Sequence, residues 1–158
     1  MPPVLWIVDG RSGAGKTRLA ERLAAEAGAR VIHMDDLYAG WHGLATGSRL
    51  LERGILAPLA EGREAVWRRW DWAEGDWGPE DRALPGEALV IEGCGSLTLA
   101  SSAHATRAIW LDAPEEVRRA RALARDGDDA WWELWRAQED QHIAANDPAS
   151  LADEVRRS

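Results

Sequence analysis

Short apolar runs alternate with amphipathic stretches along most of this chain. Runs at 4–8, 31–34, 88–91 and 108–111 contain β-branched residues and are typical of strands buried on both faces of a parallel sheet. Apolar side chains at helical spacing predict helices over 16–27, 48–60, 112–125 and 129–145. A final short strand is predicted at 152–155. Strands that alternate with helices favour an α/β fold with a parallel sheet between two helical layers.

Two parts of this pattern are irregular. Gly54 and Pro58 interrupt the helical periodicity of 48–60. Segment 67–85 contains Gly75, Gly78 and Pro79 and shows no sustained period, so we predict a loop or a short hairpin there. There are no internal repeats, linkers or low-complexity tracts, and the length of 158 residues fits one domain over 1–158.

Charge and composition exclude several classes of protein. The formal net charge is −8, which disfavours general binding to nucleic acid or to an anionic membrane. A single cysteine excludes an internal disulfide and a cysteine-rich zinc site. No apolar run approaches the ~20 residues of a membrane-spanning helix, so we expect a cytoplasmic protein.

The first predicted strand is followed by a phosphate-binding sequence, G-x-x-x-x-G-K-T. Glycines allow the backbone to turn tightly with its N–H groups directed at phosphate oxygens, and the N-terminus of the next helix faces the same anion. In this arrangement Lys16 contacts the β and γ phosphates and the Thr17 hydroxyl ligates Mg²⁺. Lys16 is the only lysine beside 18 arginines, which points to a position where a compact ammonium is needed. The predicted nucleotide-binding residues are Gly10, Arg11, Ser12, Gly13, Ala14, Gly15, Lys16 and Thr17.

Acidic residues end three of the predicted strands. Asp35 and Asp36 follow the second strand, Glu92 the third and Asp112 the fourth. Since ligands of open α/β sheets lie at the carboxyl ends of the strands, these acids are candidates for a metal site. Glu92 is the best candidate for holding Mg²⁺, with a turn carboxylate as the alternative, while Asp112 is predicted to cap a helix.

Three further motifs follow the phosphate loop along the chain. They are Met34-Asp35-Asp36-Leu37-Tyr38, Leu89-Val90-Ile91-Glu92-Gly93 and the arginine-rich segment 118–126. In this order, over about 4–126, the chain resembles the uridine kinase-like branch of the P-loop kinases. The resemblance implies a three-layer α/β/α P-loop NTPase fold with a five-stranded, mostly parallel sheet in the order 2-3-1-4-5. It also implies a substrate and lid excursion over about 38–86 and a lid-like helix over about 114–126.

The resemblance implies roles for individual residues. Asp35 would be the general base for the acceptor hydroxyl, with Asp36 as the local alternative. Magnesium would be held by Thr17, Asp35 and Glu92. Asp71 matches a substrate-binding aspartate, and the proposed acceptor pocket comprises Asp36, Tyr38, Trp41, His42, Trp70 and Asp71.

Arginines on the predicted lid helix suit a transferring phosphoryl group. Arg118, Arg121 and Arg125 share one helix face, and a planar guanidinium matches the equatorial phosphate oxygens. A solvated face is the alternative; if the face is functional, Arg121 and Arg125 are the catalytic pair, together with Lys16. Two departures from the family concern the acceptor: Leu37 replaces an aromatic residue, and the short chain predicts an abbreviated or absent substrate hairpin.

The sequence thus predicts an ATP- and Mg²⁺-dependent kinase for a hydroxyl group of a small molecule, such as a nucleoside or a polyol. A nucleoside monophosphate is a competing acceptor, and it would need an anion site from Arg49, Arg53, Arg68 and Arg69. An NTP-binding regulatory module or slow NTPase is the alternative of another class. The expected partners are the nucleotide and the acceptor, with homo-oligomers also allowed.

Overall fold

The computed structural model describes residues 3–158. Along the chain, the elements are β1 (Leu5–Asp9), α1 (Lys16–Ala27), β2 (Arg30–His33), a 3-10 turn (Met34–Asp36), α2 (Leu44–Arg49), a π-helical segment (Leu50–Leu56), α3 (Ala57–Ala60), β3 (Ala65–Asp71), β4 (Asp76–Ala83), β5 (Leu89–Glu92), α4 (Leu99–Ser102), β6 (Arg107–Asp112), α5 (Glu115–Asp126), α6 (Trp132–Asn146), α7 (Pro148–Leu151) and β7 (Glu154–Arg157).

Five strands form one parallel sheet in the order β2-β5-β1-β6-β7. The predicted order, 2-3-1-4-5, counts the strands of this sheet alone; the numbers differ because β3 and β4 lie between β2 and β5 in the chain and form a separate hairpin. The carboxyl ends of β1, β2 and β5 are neighbours, so the phosphate loop after β1 adjoins His33 and Glu92.

Alternate residues of the strands supply the two apolar cores. Val8, Val90 and Ile109 pack against Leu19 and Leu23 of α1 on one face. On the other face, a second cluster combines strand residues with the π-helical segment, the hairpin and α6: Ile7, Ile32, Ile91, Leu51, Ile55, Trp67, Trp132 and Trp135. The α/β architecture with helices on both sides of the sheet is therefore confirmed. Within residues 3–158, no helix combines the length and the apolar character needed to cross a membrane.

The segment expected to be irregular contains a full β-hairpin. β3 and β4 have seven and eight residues, and they pair antiparallel. The prediction of an absent hairpin was therefore wrong, and the alternative of a short hairpin is confirmed. A bulge between Arg68 and Trp70 shifts the alternation of inward and outward side chains, which obscures the strand period in the sequence.

Several helix boundaries also differ from the prediction. Helical structure begins at Leu44 rather than at residue 48, and it continues through the π-helical segment to Ala60. Pro58 lies at the junction where the π-helical segment passes into α3. Asp112 does not cap α5, which begins at Glu115; its carboxylate accepts a hydrogen bond from the Ala113 amide instead.

The last strand is tied to the sheet by an ion cluster that gives a pH prediction. Glu154 accepts hydrogen bonds from Arg156 and Arg107, which lower its pKa to about 2. The pKa is depressed in the folded state, so this stabilisation is present above pH ~4.5 and is lost as pH falls towards 2. We expect the difference in unfolding free energy between the native protein and Glu154→Gln, measured in urea, to shrink from pH 6 to pH 3. A difference that does not depend on pH would contradict this assignment.

Candidate active site

The loop between β1 and α1 leaves a row of backbone amides unpaired. Within residues 3–158, the N–H groups of Gly13, Gly15, Lys16 and Thr17 have no protein acceptor. Gly13 and Gly15 adopt positive φ angles of 81° and 95°, which turn the chain back into the start of α1. Unpaired amides at a helix N-terminus form a ready site for an anion, so this loop fits a phosphate group.

Lys16 extends over this loop. Its Nζ donates to the Arg11 carbonyl oxygen at 2.8 Å, and the residue is buried. Burial by itself would lower the pKa of Lys16, but the pKa is raised, and the carboxylates of Glu92, Glu139 and Asp9 contribute to the rise. The Cys94 thiol adds no charge near neutral pH, because burial raises its pKa. The ammonium is therefore positively charged where a phosphate would enter.

The arginines of α5 lie beside the same loop. Arg121 Nη1 donates to the carbonyl oxygens of Gly13 and Ala14 at 3.3 and 3.4 Å. Arg125 forms an ion pair with Asp126 and lines the same cleft. Arg118 is buried and braces the loop, since it donates to the carbonyl oxygens of Ala113 and Ser12.

Two neighbouring strand ends place a carboxylate against the start of α1. Glu92 Oε2 accepts a hydrogen bond from Thr17 Oγ1 at 3.0 Å and lies 2.7 Å from His33 Nδ1. His33 is the register partner of Glu92, so the contact follows from the pairing of β2 with β5. The hydrogen bond that Glu92 accepts from the imidazole raises the pKa of His33.

Asp35 lies in the 3-10 turn after β2 and lines the cleft. The cleft leaves it open to solvent on one side, but protein surrounds it on the others. This desolvation and the negative charge of Glu92 raise the pKa of Asp35, against the opposing effects of Lys16 and Arg125. A carboxylate with a raised pKa is a stronger base than an ordinary aspartate.

The oxygen donors of Thr17, Asp35 and Glu92 fit a magnesium ion that is shared with phosphate oxygens and water. Within residues 3–158, no group of three or more histidine, cysteine or acidic side chains is arranged to hold a metal ion alone. A bound nucleotide would therefore have to supply part of the coordination. This is the usual situation for Mg²⁺, which keeps several water ligands and binds substrate phosphates.

Aromatic side chains form the far wall of the cleft, whose volume is about 710 Å³. Trp41 stacks on Trp131 with ring centroids 5.1 Å apart and also contacts Trp72 and Trp135. The Tyr38 ring packs edge-on against Trp135, and its hydroxyl donates to the Cys94 carbonyl oxygen. Trp41 and Trp72 remain 42% and 39% exposed, so flat apolar surface faces the cleft opposite the phosphate loop.

Four predicted acceptor residues do not line this cleft: Asp36, His42, Trp70 and Asp71. His42 lines a second cleft of about 750 Å³ between α2 and α6. Trp70 packs edge-on against Trp77 of the hairpin. The Asp71 carboxylate accepts the amides of Ala73 and Glu74 in the hairpin turn. Trp70 and Asp71 thus contribute to the hairpin, and His42 belongs to another surface.

Other residues of the site were not predicted. His33 and Glu139 contact Glu92 and the phosphate loop, and Trp72, Trp131 and Trp135 complete the aromatic wall. One signal was available in the sequence for the aromatic wall: the cluster of tryptophans at 67–72, which contains Trp72. The Trp72 indole donates to the Asp35 carbonyl oxygen at 2.9 Å.

Solved structures that superpose on this chain include three whose names describe kinases. A structure titled as a possible uridine kinase from Bacillus stearothermophilus superposes with a TM-score of 0.69 at 20% identity, over 99% of this chain and 90% of that one. The chain has the P-loop kinase fold. Shikimate kinase from Bacteroides thetaiotaomicron superposes with a TM-score of 0.54 at 17% identity, over 98% of this chain and 86% of that one. A gluconokinase from Sinorhizobium meliloti superposes with a TM-score of 0.52 at 19% identity, over 98% of this chain and 81% of that one.

No protein-family model matches the sequence, and a search of curated proteins gives no significant match. The structural likeness supports the resemblance drawn from the three motifs, and at these identities it concerns the fold.

Replacing Gly13 tests whether nucleotide affinity depends on the shape of the phosphate loop, and replacing Gly62 controls for a general loss of stability. A Cβ at Gly13 would collide with the Arg118 carbonyl oxygen, whereas a Cβ at Gly62, which also has a positive φ, meets no atom within 4 Å. We expect Gly62→Ala to lose ~1–2 kcal/mol of stability from the left-handed backbone, and Gly13→Ala to lose more because its Cβ also collides with the Arg118 backbone. Only Gly13→Ala should also weaken MgADP binding, by about tenfold or more, measured by calorimetry. Equal affinities for the two variants would contradict the assignment of the loop.

The contact between His33 and Glu92 gives a second pH prediction. The folded-state pKa of His33 lies above its ordinary value of 6.5, so the stabilisation is fully present below pH ~6.5 and is lost as pH rises through the folded value. In metal-free buffer, we expect the native protein to gain stability over His33→Gln as pH falls from 8.5 to 5.5. Glutamine stays uncharged throughout, so an unchanged difference in urea unfolding would show that the imidazolium charge has no role.

Proposed function

We propose that this protein is an ATP- and Mg²⁺-dependent kinase that transfers a phosphoryl group to a hydroxyl of a small molecule. One observation carries the proposal: the unpaired amides of the loop, the Lys16 ammonium and the carboxylates of Asp35 and Glu92 border one cleft, whose other wall is aromatic. The amides and the ammonium suit a triphosphate with its metal ion, which the carboxylates would help to hold. The aromatic wall suits an uncharged acceptor with a flat or apolar face.

The residues divide the work between phosphate binding and proton transfer. The loop amides and Lys16 bind the phosphate oxygens, while Arg121 and Arg125, beside the same loop, add positive charge to the cleft. Asp35 takes the proton of the acceptor hydroxyl. Thr17, Glu92 and Asp35 would hold Mg²⁺, which when bound neutralises charge on the phosphate oxygens.

A nucleoside monophosphate acceptor has less support. None of its four candidate arginines, Arg49, Arg53, Arg68 and Arg69, lines the main cleft in residues 3–158. Arg49 and Arg53 line the second cleft, and Arg68 donates to carbonyl oxygens of its own hairpin. A regulatory module without an acceptor would leave the aromatic wall unexplained.

Substitution of Asp35 tests the catalytic role directly. A panel of nucleosides, polyols and sugars, followed by ADP release, first identifies the acceptor that stimulates turnover. With that acceptor, Asp35→Asn should reduce turnover by about 10²-fold or more, because the base is lost, while the affinity for MgADP should stay within about threefold.

Asp36→Asn is the matched control, since Asp36 is the neighbour that lies outside the cleft lining. It should retain turnover. Unchanged turnover in Asp35→Asn would show that Asp35 is not the base, and the absence of acceptor-stimulated turnover across the panel would favour a regulatory NTP-binding module.

A further inference from the structure

Glu139 of α6 is a buried carboxylate that the proposed mechanism does not use. It is 3% exposed and lies against the phosphate loop rather than in the cleft lining. Its Oε2 accepts a hydrogen bond from the Ser12 backbone N–H at 2.6 Å and lies 3.4 Å from Cys94 Sγ. Its Oε1 accepts from Arg11 Nη1 at 3.5 Å.

A negative charge in this position opposes anion binding. Coulomb repulsion acts between a buried carboxylate and any phosphate on the same loop, and burial makes the interaction stronger than in water. An apolar side chain would fill the same space without that repulsion. The cost of this carboxylate must therefore be offset by its partners, which are the charges of Lys16 and Arg11 and the Ser12 amide. The short charge-assisted bond to the Ser12 amide is its closest contact.

The bond to Ser12 fixes one side of the loop while leaving the other side free. Ser12 N–H points to Glu139, whereas the amides of Gly13, Gly15, Lys16 and Thr17 have no protein acceptor within residues 3–158. Removing the acceptor oxygen would leave a buried N–H without a partner, and the loop would relax to satisfy it.

We infer that Glu139 is a positioning residue, through which α6 holds the phosphate loop in its anion-binding conformation. This inference rests on the proposed binding of nucleotide by that loop. Glu139 touches no reacting group; it acts through the Ser12 peptide.

The same helix also supports the acceptor side of the cleft. Trp135 of α6 lines the aromatic wall, and the Gln138 side chain donates to the Trp41 carbonyl oxygen and accepts from the Leu44 amide. Glu139 follows Gln138 directly, so one rigid element carries both the aromatic wall and the brace of the phosphate loop.

The chain contains a matched control beside Glu139. Asp140 also pairs with Arg11, at 2.6 Å, but its side chain is 57% exposed and makes no bond to the loop backbone. Removing Asp140 therefore tests the loss of a carboxylate near Arg11 without loss of the Ser12 contact.

The experiment compares Glu139→Gln, Glu139→Ala and Asp140→Ala with the native protein. Amide hydrogen exchange of segment 10–17 is measured without ligand, calorimetry gives the affinity for MgADP, and the thermal midpoint reports folding. Glutamine keeps an acceptor oxygen for Ser12 and removes the charge. We expect faster exchange at Ser12 and about tenfold weaker MgADP binding in Glu139→Ala only. Glu139→Gln should bind as well as the native protein, or more tightly.

Each outcome decides between positioning and another role. Unchanged exchange at Ser12 in Glu139→Ala, or faster exchange with unchanged affinity, would overturn the inference. Tighter binding in both Glu139 variants would show that only the charge matters, which would also overturn it. Equal effects in Asp140→Ala would assign the role to Arg11. If the native protein did not bind MgADP, the proposed function would fail, and the exchange data would still decide whether Glu139 orders the loop.

Discussion

The structure depends on how one ammonium group is balanced by buried carboxylates. Lys16 is buried between the phosphate loop and the carboxyl ends of the strands, where Asp9, Glu92 and Glu139 keep it charged. Each carboxylate is itself tied to backbone or to a hydroxyl: Asp9 to the amides of Gly10, Gly95 and Leu97, Glu92 to Thr17 and Glu139 to Ser12. Buried charges are tolerated when they are paired and hydrogen-bonded in this way.

This balance makes the loop responsive to an anion. The positive charge of Lys16 is shared among several carboxylates rather than consumed by one close ion pair, because its Nζ bonds to a carbonyl oxygen. A phosphate group on the free amides would become a further partner of the same ammonium. The net charge of −8 thus includes acids that work inside the molecule, which is compatible with a site for a polyanion.

Most of the layered architecture could be predicted, because buried parallel strands carry a strong local signal. The runs that contain Ile7 and Ile91 are apolar on both faces, and a parallel sheet between helices is the arrangement that buries both. The hairpin could be predicted only as an alternative to a loop, since half of each strand faces solvent and the bulge at Arg68 breaks the alternation. Its inner residues, Ala65 and Trp67, are too few to reveal the strand by pattern alone.

The sequence by itself determined the phosphate loop and the acids at the strand ends, because a turn of glycines between a strand and a helix is encoded in adjacent positions. Only the tertiary structure decided which side chains share the cleft. It placed Asp35 inside and Asp36 outside the lining, and it brought Trp131 to Trp41 across 90 residues. Such contacts depend on how helices pack on the sheet, and that packing is a property of the whole core rather than of any local segment.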